Sequence, residues 1–402
     1  MHKIATPLFF IFGLAVSAVS AQSWAPLESG TSNDLKDVFF VNAQTGWIAG
    51  KNGTIRKTVN GGTGWTSQTS GTSRELKGLH FADAYTGWAV GKDGTVLKTT
   101  DGGNVWASKT NPAQKDLTSV SFYGASTGIA VGKNGTVITT SDGGNTWTAR
   151  QPGYSGSLYG VQMLNASLAF ACGENGRLLK TTDAGTTWTV TGATAQYDWI
   201  GMHFLSENKG YLVPESDGSD GGSGGILYKS SGGVLTALTL PTSKQLLAVF
   251  FTDENTGWAV GKEGRILRTA NGGTGWTAQT LGSVSKDLVA LHFVSSELGY
   301  AVGKDGTVLK YGTQTGGVPD NESRTASVYP NPVQDAFYID LPQTTDDVQV
   351  HVSDLSGRQW GVWSVRTPEN PFRVETSGWK PGIYIVRIGG GDRYHTVKII
   401  KL

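Results

Sequence analysis

Gly87-Trp-Ala-Val-Gly-Lys-Asp-Gly-Thr-Val-Leu-Lys-Thr-Thr-Asp-Gly-Gly103 is the stretch on which the fold turns. Gly87–Gly91 reads as a short buried strand. Lys92-Asp93-Gly94 reads as a tight hairpin whose Asp-Gly pair tolerates positive φ. Thr95–Thr100 returns as a second strand and ends in a Gly-rich corner. An apolar stretch, Leu76–Phe81, precedes the unit, and Trp106 opens a strand after it. The unit recurs. Gly46-Trp47, Gly87-Trp88, Gly128-Ile129 and Ala169-Phe170 are spaced by 41 residues, as are Trp65, Trp106, Trp147 and Trp188. The pattern resumes at Gly210-Tyr211, Gly257-Trp258 and Gly299-Tyr300, giving seven copies between Leu35 and Tyr311. Four short strands in about 40 residues make one blade of a β-propeller.

The ends of the array predict how it closes. The seventh copy stops at Tyr311 without a fourth strand, while Trp24 precedes Leu35 by 11 residues, the same offset as Trp65 to Leu76. The expected architecture is therefore all-β: a seven-bladed β-propeller over 22–311, closed by the N-terminal strand so that no sheet edge stays open. Composition agrees, with 57 Gly and 13 Trp in 402 residues and only 16% charged residues, too few for helix surfaces.

Residues 1–21 read as a secretory signal peptide: His2 and Lys3, an apolar run from Leu8 to Val19, and Val19-Ser20-Ala21 before Gln22. The run is too short to span a bilayer, and no Cys follows the cleavage site to take a lipid, so no transmembrane segment is expected. Removing Lys3 takes the formal charge from +1 to 0, which argues against nucleic-acid binding. Cys172 stands where other copies have Val90 and Val131, and reads as a small buried hydrophobe.

The corners repeat Thr140-x-Asp142-x-Gly144-x-Thr146-Trp147 and Thr181-x-Asp183-x-Gly185-x-Thr187-Trp188. Looser copies run through Thr58, Asn60 and Trp65, through Thr99, Asp101 and Trp106, and through Thr269, Asn271 and Trp276. This resembles the Asp-box of the bacterial neuraminidase (BNR) repeat, which implies a peripheral structural hairpin rather than catalytic aspartates. With the hairpin motif, the 87–103 pattern resembles the propeller family of photosystem II stability and assembly factors over roughly residues 23–311. That resemblance implies a non-enzymatic binding or assembly role.

Beyond a linker at 312–327, short alternating strands at 328–402 suggest a small immunoglobulin-like β-sandwich. Tyr329-Pro-Asn-Pro332, Asp354-x-x-Gly357-Arg358, Gly382-x-Tyr384 and a Lys-containing last strand resemble the type A C-terminal sorting domain of the type IX secretion system of Bacteroidetes. The resemblance implies export through the periplasm to the cell surface or medium, with the secretion machinery as a partner of 328–402. It puts a photosystem role in conflict with the destination.

Candidate sites lie where copies differ or line up at one end. Lys51, Lys92, Lys133, Lys262 and Lys304 recur in the hairpins, with Arg177 and Arg265 a turn later in two copies. They read either as a basic rim for an anionic partner or as solvated hairpin charges beside Asp93, Glu174, Glu263 and Asp305. In the fifth copy Glu215, Asp217 and Asp220 stand in a long insertion that offers oxygen ligands for Ca²⁺ without fitting a full calcium-loop spacing. His80, His203 and His292 share one register, far apart unless they point into the axial channel, so inter-blade packing is expected over zinc. Asp34, Glu75, Asp116, Asp198 and Asp287 open the first strands and are expected to bond the blade-to-blade turns.

The function expected is a secreted or cell-surface binding module for a protein or glycan, with no cofactor and no chemistry. The alternative is a glycoside hydrolase of sialidase or xyloglucanase type, whose paired carboxylates would have to come from Asp34, Glu75, Asp116 or the blade-five loop.

Overall fold

The computed structural model describes residues 22–193, 197–215, 225–279 and 284–313 and, after them, 327–329, 333, 335–340, 348–354, 358–365, 372–390 and 393–401. The chain divides into two compact units, 1–315 and 316–402.

The first unit holds seven antiparallel four-stranded sheets, the blades. Blade 2 is typical, with strands Leu76–Phe81, Gly87–Gly91, Val96–Thr99 and Ala107–Ser108. Blade 7 is assembled from both ends of the unit. Its strands Leu288–Ser295, Leu298–Gly303 and Val308–Thr313 are joined by Gln22–Leu27, with Trp24 opposite Tyr311. That pairing reaches Gly312 and Thr313, so the strand runs two residues into the stretch expected to be linker. The first strands pack in order around the ring, and that of blade 7 returns to that of blade 1.

The hairpins form as their sequence requires. Asn52, Asp93, Asn175, Glu263 and Asp305 hold φ between 52° and 55°, and each is followed by a Gly at positive φ. Short polar side chains and Gly accept that left-handed geometry at low cost. Glu263 is the exception in type.

Blades adhere through aromatic stacks. The aromatic residue of one blade's second strand lies flat on the Phe of the next blade's first strand: Trp47 on Phe81, Trp88 on Phe122, Phe170 on Phe204, Tyr211 on Phe251, Trp258 on Phe293 and Tyr300 on Phe40. Their ring centroids are 3.5–4.0 Å apart. The corner Trp then meets the same Phe edge-on, as Trp106 does Phe81 at 5.9 Å and 89°. In blade 7 that place is taken by Trp24, 5.8 Å from Phe293 at 89°.

The recurrent Gly of the Gly-Trp pair sits beneath this Phe. A Cβ on Gly87 would lie 2.3 Å from the Phe81 ring, and one on Gly46 2.5 Å from that of Phe40. Blade 4 departs at both places together: Met163 replaces the Phe, and its cross-strand partner is Ala169. The methyl is admitted where the flat ring is absent.

Corner side chains hold the turn they occupy. Asp142 accepts from the Thr146 N–H at 3.0 Å and from its hydroxyl at 2.7 Å, while Thr140 Oγ1 accepts from the Gly144 N–H at 2.9 Å. The second-strand aromatics reach the corner of the next blade, with Trp88 Nε1 donating to the Gly143 carbonyl at 2.9 Å and Tyr300 OH to that of Gly61 at 3.0 Å. Cys172 is fully buried, and burial pushes its thiol up to about 12.

The second unit has two antiparallel sheets. One orders Ser327–Tyr329, Ala336–Asp340 and Phe372–Glu375, and the other orders Gln359–Val365, Val348–Asp354, Gly382–Gly390 and Arg393–Lys401. Phe337, Ile339 and Val374 from the first share one buried core with Val350, Val386 and Ile399 from the second. Asp354 closes its turn by accepting from the Arg358 N–H and the Trp360 indole, each at 3.1 Å.

The Phe-over-Gly pairing gives a quantitative expectation. Gly87→Ala should cost about 1–3 kcal/mol by overpacking, whereas in a Phe81→Met background the same change should cost less than half as much. Urea denaturation of the four chains closes the cycle, and additivity would disprove the explanation.

Candidate functional site

Two surfaces share one end of the ring. The hairpins form a rim, and the first strands enclose a channel behind it.

On the rim, the repeated acids and lysines are partners. Lys51 pairs with Asp34 at 2.6 Å, Lys92 with Glu75 at 3.1 Å, Lys133 with Asp116 at 3.2 Å and Lys304 with Asp287 at 2.6 Å. The acid's other oxygen reaches the preceding blade. Asp34 accepts from the Asp305 N–H at 3.1 Å, Asp116 from that of Asp93 at 2.8 Å, Asp198 from that of Asn175 at 2.9 Å and Asp287 from that of Glu263 at 3.0 Å. Asp34, Asp116 and Asp287 thus neutralise their own hairpins and tie down their neighbours', whereas Glu75 makes the ion pair and Asp198 the bond to the neighbour. These bonds hold Asp34 below the usual carboxylate range, chiefly through the Lys51 ammonium. Of the carboxylates available to a hydrolase reading, Asp34, Glu75 and Asp116 are engaged in ion pairs, while Asp217 and Asp220 of the blade-five loop lie outside the described residues.

Lys262 differs, because its hairpin closes on Gln245, whose carbonyl takes the Lys262 N–H at 2.9 Å. Glu263 beside it pairs with Lys244 at 2.7 Å. Arg177 and Arg265 follow the hairpins of blades 4 and 6 as expected from sequence. Of the calcium candidates, Glu215 donates its N–H to the Asp198 carbonyl at 2.7 Å, while Asp217 and Asp220 lie outside the described residues. Residues 1–21 and 314–326 lie outside them as well.

Behind the rim the channel encloses about 670 Å³. Its wall is built from equivalent positions of the first strands, which are kinked by bulges near their starts. Nearest the rim are Lys36, Lys77, Thr118, Tyr159, Ile200, Leu247 and Val289. Further in, Asp37, unmarked by any repeat, accepts from the Val38 N–H at 2.8 Å and, across the blade boundary, from the Leu79 N–H at 2.7 Å. Burial nevertheless raises its carboxyl to about 7. Ser119 and Ser121 likewise accept from the backbone of blade 4, and Gln162 exchanges two bonds with Phe204 of blade 5.

The three histidines do point into the channel, where they meet phenylalanines. Centroid distances run 4.9 Å from His80 to Phe39, 4.6 Å on to His292, 5.5 Å on to Phe250 and 4.3 Å on to His203. This five-ring collar spans blades 2, 1, 7, 6 and 5. Desolvation holds His80 near 3 and His203 and His292 near 4, so all three are neutral at physiological pH. Among the described residues no group of three His, Cys, Asp or Glu is placed to hold a metal. Asp37 escapes a reading based on repetition because it occurs once, and Lys36 and Lys77, which share one register, because the other five blades carry something else there.

The family described as Photosynthesis system II assembly factor YCF48 matches residues 16–107, 71–195 and 242–312, and the Secretion system C-terminal sorting domain matches 327–402. The sorting domain implies type IX secretion to the cell surface or medium. No curated protein matches the chain. Among solved structures, a YCF48 bound to a D1 peptide is 21% identical with a TM-score of 0.63 over 74% of this chain and 99% of its own. YCF48 from Cyanidioschyzon merolae is 20% identical with a TM-score of 0.60 over 72% and 99%. Virginiamycin B lyase from Staphylococcus aureus is 13% identical with a TM-score of 0.63 over 73% and 99%. At these identities the likeness is one of fold.

The collar and Asp37 carry opposite pH dependences. The histidines' depressed values mean that their stabilisation is present above about 6.5 and is lost as pH falls toward 4. Asp37, raised to about 7, contributes stability below its unfolded value near 4 that is lost as pH rises through 7. Three such imidazoles outweigh one carboxyl, so the melting temperature should rise from pH 4 and level off near pH 7. Changing His80, His203 and His292 together to Gln should abolish that rise and leave the fall with pH due to Asp37, and melting curves from pH 4 to 8 decide it.

Proposed function

We propose that this chain, which belongs to the Photosynthesis system II assembly factor YCF48 family, works as an exported binding module that holds a protein partner on its hairpin rim and makes or breaks no covalent bond. One observation carries the proposal. Hairpins from separate blades are tied to each other by Asp34, Asp116, Asp198 and Asp287, so the rim is a preorganised annulus rather than a set of loops. A surface ordered beforehand loses little entropy when it binds.

The cation not matched to an inner-strand acid, Lys262, marks the sector of blade 6 as the place where an anionic partner would gain most, with Arg265 beside it and Arg177 on blade 4. Lys51, Lys92, Lys133 and Lys304 then serve mainly to hold the annulus. The YCF48 solved with a D1 peptide favours a polypeptide over a glycan as the partner. Residues 328–402 would bring the propeller to the outside by engaging the secretion machinery.

The test is affinity capture from outer-membrane and medium fractions, with the chain from Gln22 onward beside its Lys262→Gln, Arg265→Gln and Arg177→Gln triple variant. Capture should fall at least fivefold in the variant at unchanged melting temperature. Equal capture by both would move the site off this sector. Turnover of fluorogenic glycosides by the unmodified chain would replace the proposal with the hydrolase reading.

A further inference from the structure

The channel mouth is divided by chemistry. Blades 1 and 2 place Lys36 and Lys77 there, whereas blades 5, 6 and 7 place Ile200, Leu247 and Val289 at the equivalent positions. The cationic arc is short of counter-charge. Glu75 lies between Lys36 at 3.6 Å and Lys92 at 3.1 Å, and Lys77 stands near it as a third ammonium. Asp116, the other acid near Lys77, is paired with Lys133 at 3.2 Å. With Asp34, which Lys36 also faces and Lys51 pairs, five ammonium groups share three carboxylates, and the carboxyl of Asp37 beside Lys36 is raised to about 7. Burial lowers Lys77 from its ordinary value, the mark of an ammonium partly stripped of water.

The apolar arc leads inward through Ala248 and Ala290 to the aromatic collar. There His292 Nδ1 is buried without a hydrogen-bond partner. The acceptors of Asp37, Ser119 and Ser121 are engaged with backbone N–H groups of adjacent strands, so these polar groups of the wall serve to hold blades together. The cavity, about 670 Å³, lies within the range of small-ligand sites.

We propose that the channel binds a small amphiphilic acid, with its carboxylate or sulfonate between Lys36 and Lys77 and its apolar body along Ile200, Leu247 and Val289 toward the collar. Charge and apolar contact act together: either arc alone is a weak site, and the two at one mouth select a molecule that carries both. The site uses inward-facing residues, none of them on the rim, so it stands or falls independently of the partner proposed there.

The experiment titrates the chain from Gln22 onward with two fluorescent probes. One is 8-anilinonaphthalene-1-sulfonate and the other its uncharged counterpart, N-phenyl-1-naphthylamine. Saturable one-to-one binding of the sulfonate is expected, at least tenfold tighter than the neutral probe and weakened by salt. Lys36→Gln with Lys77→Gln should weaken the sulfonate at least tenfold and leave the neutral probe within twofold. Val289→Trp, which fills the apolar arc, should weaken both. Sulfonate affinity within twofold of the parent in the double Lys variant overturns the proposal, as does the absence of saturable binding. The double Lys variant alters exposed or half-buried cations and decides the matter even if Val289→Trp does not fold.

Discussion

The propeller rests on one contact made over and over, a flat aromatic ring of one blade laid on the Phe of the next. At six of its seven interfaces the rings lie within 4.0 Å. Each stacked pair contributes about 0.5–1.5 kcal/mol beyond the area it buries. The geometry is demanding: the Phe lies flat only because a Gly sits beneath it, and the corner Trp can then meet the ring edge. Tyr300 on Phe40 makes the same contact between residues 260 positions apart, so the ring is joined by the interaction that joins its interior blades.

That regularity separates residues that build the ring from residues free to act. Lys side chains that recur at the rim are held by the acid of their own blade, those acids reach the neighbouring blade, and the corner aspartates are held in their own turns. A side chain recurring in most blades is answering a need of every blade. Variation at the channel mouth is of another kind, because seven equivalent positions face one space and the blades do not depend on what they carry. Lys36, Lys77, Ile200, Leu247 and Val289 share a structural place and little else.

The same distinction explains what could be read from sequence. Blade number, the hairpin, the corner and the closing strand were legible because repetition multiplies a weak local signal. Trp24 could be assigned to blade 7 by its 11-residue offset from Leu35. The pairing of Asp34 with Lys51 was harder, since the same carboxylate also serves Asp305 at the far end of the array and only closure brings them together. The histidines were found but their setting was not. That one register faces the channel was foreseeable, whereas the phenylalanines between them follow from the order of blades around the ring. Asp37, Lys36 and Lys77 gave no signal, because an argument from repetition passes over a residue found in only one or two blades.

Construction also bears on export. Every strand of the propeller's last blade comes from 22–27 or 288–313, and the sorting unit has a buried core of its own. No propeller sheet among the described residues takes a strand from beyond Thr313. The edge that would otherwise be open is covered from the N-terminal side, by Gln22–Leu27. An address placed at the other end of the chain can therefore be read, or removed, without exposing a sheet edge in the propeller. Closing the ring from its N-terminus is what leaves the C-terminus free to serve as that address.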